Sequence, residues 1–71
     1  MKEFEDIKRM ANQIATAFAA YPEDDAVRET ANHIKSFWDP RMRKQLAEVI
    51  AKDAKALSPV ALAAGKKLGL G

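Results

Sequence analysis

The chain has 71 residues, 48 % hydrophobic and 31 % charged, with a formal net charge of +2 and no cysteine. That length holds one domain at most, and the missing thiols exclude disulfides, thiolate zinc sites, iron–sulfur ligation and cysteine nucleophiles together. The longest uncharged run, Met10 to Pro22, falls short of the ~20 residues a spanning helix needs.

The expectation is therefore a protein of the cytoplasm that does not enter a membrane. Glu3, Glu5 and Asp6 stand where a signal peptide would be basic. Alanine is abundant and β-branched residues are sparse, which favours helix over strand. The charge is polarised: residues 1–39 carry five Lys/Arg against eight Asp/Glu, and residues 40–71 carry seven against two.

The first predicted helix runs from Lys2 to Ala20. Phe4, Ile7, Ala11, Ile14, Phe18 and Tyr21 recur at steps of three and four, the stripe of an amphipathic helix. Asn12 and Gln13 lie beside that stripe, either as ordinary solvated amides or as hydrogen-bonding groups at an interface.

Tyr21 and Pro22 stop the helix, because a residue before proline is pushed out of the α region. Pro22 then suits the first position of a second helix, over 23–37. Its stripe is Val27, Thr30/Ala31, Ile34 and Phe37/Trp38, and Glu23, Asp24 and Asp25 suit its positive end.

Trp38 is read as a hinge. Asp39 is a good N-cap and Pro40 a good first residue for a third helix, over 40–56, with Met42, Leu46, Val49 and Ile50 inward. Leu57-Ser58-Pro59 repeats the device: Ser58 caps, Pro59 begins, and Leu57 staples onto Leu62. This short fourth helix ends on Lys66 and Lys67 and stops at Gly69. The fold class is all-α, a single domain over 1–71: a bundle or array of three main helices plus a short C-terminal fourth. With short connections, an up–down–up bundle is the first expectation, and an opened array with apolar faces the second.

No catalytic set assembles. One histidine and no cysteine leave too few ligands for a transition-metal site, and the three glycines, all from residue 65 onward, form no phosphate loop. No catalytic, cofactor-binding or metal-binding residue is assigned, and the chain is read as a non-enzyme.

One local rule is broken. The third helix places Arg41, Arg43 and Lys44 at the end that favours acids, where each such charge costs ~0.3–1 kcal/mol when exposed. Two explanations compete. In an up–down–up bundle the starts of helices one and three share an end, so Glu3, Glu5 and Asp6 would neutralise the arginines while Phe37 and Trp38 close the core. Alternatively Phe37, Trp38, Met42, Arg41 and Arg43 form a contact patch for a partner, since Trp and Arg dominate interface hot spots.

MANQIA at 10–15, HIKSFWDPRMR at 33–43 and LSPVALAA at 57–64 resemble the small delta subunit of NAD-dependent, molybdenum-containing formate dehydrogenases. The resemblance implies a non-catalytic accessory subunit that stabilises or helps assemble the complex by docking on its large catalytic subunit. That alpha subunit holds the molybdopterin cofactor, while beta and gamma carry electrons to NAD. Matching positions, taken as partner contacts, are Asn12, Gln13, His33, Phe37, Trp38, Arg41, Met42 and Arg43, and Asp39 and Pro40 set the turn. The chain itself would hold no cofactor, and self-association remains open. Two other readings stand beside it: a cofactor-insertion chaperone for the same enzyme, and a nucleic-acid-binding domain using Arg41, Arg43, Lys44, Lys52 and Lys55 if those form one face.

Overall fold

The structure is a computed structural model that describes residues 4–71. Four α-helices follow one another: α1 (Glu5–Ala17), α2 (Glu23–Phe37), α3 (Pro40–Asp53) and α4 (Pro59–Lys67), with a 3-10 turn at Ala54–Ala56 between the last two. The described residues are all-α and contain no strand. Lys2 and Glu3, expected in the first helix, lie outside them.

Both expected Pro-headed helix starts are present. The Asp39 carboxylate accepts a 2.9 Å hydrogen bond from the Met42 amide, and the Ser58 hydroxyl accepts one of 3.2 Å from the Ala61 amide. Pro40 and Pro59 occupy the first helical positions, where a missing N–H costs nothing. Pro22 sits one residue earlier than expected, as the N-cap of α2, and Glu23, Asp24 and Asp25 fill the first turn.

The boundaries differ at two ends. α1 stops at Ala17 rather than Ala20, because the chain tightens into i→i+3 bonds from the Ala19 amide to the Thr16 carbonyl and from Tyr21 to Phe18. Tyr21 thereby leaves the stripe: it is half exposed and packs edge-on against Phe18 at 5.6 Å. The third helix is regular only to Asp53, and its expected last turn is the 3-10 segment.

Packing departs further from the first expectation. α2 and α3, consecutive and joined at Trp38-Asp39, make little contact with each other, whereas α2 packs most extensively on α4. The buried positions on these two helices are mostly small, Ala26, Thr30 and Ala31 on one and Ala61, Ala64 and Gly65 on the other, so the backbones approach closely. Gly65 also faces α3, where a Cβ would stand 2.5 Å from Ile50 Cδ1. α1 touches all three other helices. The domain is thus an array around one core of Ile7, Ala11, Ala15, Ile34, Trp38, Leu46, Val49, Ile50, Leu57 and Ala61.

Two pins hold α1 against the end of α3 and the turn that follows it. Lys8 Nζ, at the start of α1, pairs with Asp53 Oδ2 at the end of α3 (3.0 Å) and with Glu5 Oε2 (3.1 Å). One turn on, the Asn12 side chain donates to the Ala56 carbonyl (2.9 Å) and accepts from the Ser58 amide (2.8 Å). The start of α1 therefore meets the end of α3, opposite to the shared-end arrangement of an up–down–up bundle.

Candidate functional site

That reversal decides where the acids lie. From Asp53 back to Arg41 is twelve residues of helix, ~18 Å of axial rise. Glu5 is held by Lys8 and Asp6 by Arg9 at 2.9 Å. No described carboxylate comes within ion-pair distance of Arg41, Arg43 or Lys44. Neutralisation by Glu5 and Asp6 is excluded by this geometry; Glu3 lies outside the described residues.

The FWDPRMR segment splits into inward and outward parts. Trp38 adopts an extended conformation at the end of α2, which ends the helix and turns the indole into the core, where it is 6 % exposed. Met42 is partly buried against the same core. Phe37, one residue before the tryptophan, points the other way and is 75 % exposed. Arg41 is exposed as well, and Arg43 is half-buried.

Phe37 does not stand alone. His33, one turn earlier on α2, tilts against its ring with centroids 4.7 Å apart, an i,i+4 pair on one helix face. His33 and Trp38 also line an open groove of about 380 Å³ whose opposite wall is α1, with Met10, Gln13, Ile14, Ala17 and Phe18. Gln13 is exposed at this wall. The structure thus brings Gln13, His33 and Trp38 to one groove, with Phe37 beside it.

Two residues that the sequence suggested as partner contacts have internal duties. Asn12 spends both ends of its amide on the 3-10 turn and the Ser58 cap. Trp38 is buried in the core and contributes to the groove only as one of its lining residues.

Arg43 leads to a surface that sequence reading missed. With Lys44 it lines a second depression, of about 590 Å³, joined by Lys35 of α2 and Lys67 of α4. Lys35 and Lys67 each read as a favourable charge at a helix C-terminus, and nothing in the local sequence indicates that they converge. Lys52, by contrast, is paired with Glu48 at 3.6 Å near the far end of α3, and Lys55 lies beyond it in the 3-10 turn. The five cations of the nucleic-acid reading are thus divided between the two ends of α3.

Among the described residues no group of three His, Cys, Asp or Glu is placed to hold a metal ion, and no helix is long and apolar enough to cross a membrane. The described residues form a small all-helical domain in which an exposed Phe37 lies against a half-buried His33, and Arg41, Arg43 and Lys44 have no described ion-pair partner. The chain belongs to the family described as NADH-dependant formate dehydrogenase delta subunit FdsD, whose model matches residues 7–64. That span contains both Pro-headed helix starts and the whole FWDPRMR segment, in agreement with the resemblance seen in the sequence. No match was found among curated proteins or among solved structures.

Proposed function

We propose that this chain is a non-catalytic accessory subunit that docks on the large catalytic subunit of an NAD-dependent formate dehydrogenase and stabilises or helps assemble that complex in the cytoplasm. Family membership supports the enzyme system. The observation that carries the docking reading is Phe37, three-quarters exposed beside His33, while its neighbour Trp38 is buried. An exposed aromatic ring on an otherwise economical core is a feature of a contact surface. Arg41 follows it with no described acid to pair with, ready for a bidentate carboxylate from the partner.

In this reading Gln13, His33, Phe37 and Arg41 make contact, Arg43 and Met42 flank them, and Trp38, Asp39, Pro40 and Asn12 hold the surface in shape. The test is affinity capture of the full chain from its native extract with mass spectrometry. Recovery of the large catalytic subunit in the cofactor-loaded enzyme supports a resident subunit. Recovery only with the cofactor-free enzyme transfers the role to an assembly chaperone, and no recovery in either state overturns the reading.

A further inference from the structure

The second depression collects cations from three helices. Lys35 comes from the last turn of α2, Arg43 and Lys44 from the start of α3, and Lys67 from the last turn of α4; Leu68 and Leu70 supply apolar lining. No acidic residue lines it. No described carboxylate lies within ion-pair distance of any of the four cations; Glu48 on α3 is engaged by Lys52, and Glu23 and Asp24 line a separate depression that shares only Lys67 with this one.

Like charges gathered around one depression repel one another, and an anion that enters relieves that repulsion, which salt with a Debye length of ~8 Å weakens. Arg43 carries a second sign of incompleteness. Its Nε is covered yet has no hydrogen-bond acceptor among the described residues, and covered donors are nearly always paired.

We infer that this groove seats an acidic segment of a partner protein, a short stretch that carries carboxylates together with apolar side chains. The carboxylates answer the four cations, with Arg43 and Lys44 next to the positive end of α3. The apolar side chains answer Leu68 and Leu70, which a phosphate ion or a nucleic-acid backbone would leave uncovered. The groove shares no lining residue with the one beside Phe37 and, of the contact and flanking residues of the docking surface proposed above, only Arg43, so it goes beyond that surface and is tested without the enzyme.

The experiment is fluorescence anisotropy of the full chain with a fluorescein-labelled octapeptide of alternating Glu and Leu, at low and at physiological ionic strength. Saturable binding at low ionic strength is expected, weakened by salt and weaker again for a Glu–Ser peptide of the same charge. The combined variant K35E/K44E/K67E should bind at least about tenfold more weakly, and Lys44→Ala alone about threefold. Circular dichroism checks that each variant is folded. All three lysines are exposed, and if the triple reversal unfolds, Lys44→Ala is the deciding variant. Four results would each overturn the inference: no binding at low ionic strength, equal binding by the folded variants, equal binding of the Glu–Ser peptide, or tighter binding of tripolyphosphate or a DNA duplex.

Discussion

Lys8 Nζ lies 3.0 Å from Asp53 Oδ2, and this contact joins the beginning of α1 to the end of α3. It orients the molecule. With the start of α1 at the end of α3, Glu5 and Asp6 stand at the opposite end from Arg41 and Arg43, and no described carboxylate pairs with the basic start of α3. Lys8 is itself nearly buried, 8 % exposed, so the pairing is part of the packing rather than a surface ornament.

The pair predicts an alkaline signature. Hydrogen bonds to Asp53 and then to Glu5 hold the Lys8 ammonium above its ordinary value of 10.5. A raised folded-state value contributes stability that is complete below pH 10.5 and is lost as pH rises through the folded value. Thermal unfolding of the wild type should therefore fall more steeply above pH 10.5 than that of Lys8→Met. Parallel curves for the two proteins through the alkaline range would show that the ammonium contributes nothing.

Asn12 is the second pin, and its loss should be expensive for a residue that is only half-buried. Asn12→Ala leaves the Ala56 carbonyl and the Ser58 amide without their partners, at a cost of about 1–3 kcal/mol. Asn12→Asp retains the acceptor for Ser58 and loses the donor to Ala56, so it should fall between. Urea midpoints order the three proteins, and an Ala variant as stable as wild type contradicts the pin.

The Asp39 cap should matter less. It is exposed and contributes one hydrogen bond to the Met42 amide, so Asp39→Ala should cost about 1 kcal/mol and Asp39→Asn a few tenths. Chemical denaturation measures both. A loss for Asn as large as for Ala would mean that the negative charge beside Arg41 and Arg43, not the cap, is what stabilises.

Phe37 and Trp38 should behave as opposites. Trp38→Ala removes a core side chain, typically worth about 3–5 kcal/mol, which is comparable to the whole net stability of a domain this small, about 3–5 kcal/mol. The variant should be largely unfolded by circular dichroism. Phe37→Ala changes an exposed ring and should leave stability within about 0.5 kcal/mol.

Local chemistry was legible in the sequence and tertiary direction was not. Asp39-Pro40 and Ser58-Pro59 announce helix starts through residues that act within one turn, and both caps form. The apolar stripes place Ile7, Ala11, Ile34, Leu46 and Val49 correctly in the core. The α2–α4 contact left only half a signal: Thr30 and Ala31 fall in the α2 stripe, but Ala61, Ala64 and Gly65 of α4 form no stripe of large apolar residues that would name their partner helix. Asn12 reads as a solvated amide or a partner contact, and its internal role stays hidden because its partners lie more than forty residues away, at Ala56 and Ser58. Phe37 and Trp38 are adjacent aromatic residues at a helix end, and which one enters the core depends on Trp38 turning extended there. The convergence of Lys35 and Lys67 with Arg43 and Lys44 arises only once α4 has packed on α2.

The most direct measurement of the docking surface is the affinity of the purified chain for the large catalytic subunit, wild type against the folded double variant Phe37→Ala/Arg41→Ala. A hot-spot aromatic with a desolvated guanidinium is worth about 2 kcal/mol or more, so the double variant should bind at least roughly thirtyfold more weakly. Undiminished affinity, with both proteins equally helical, would contradict the assignment of this face to the partner.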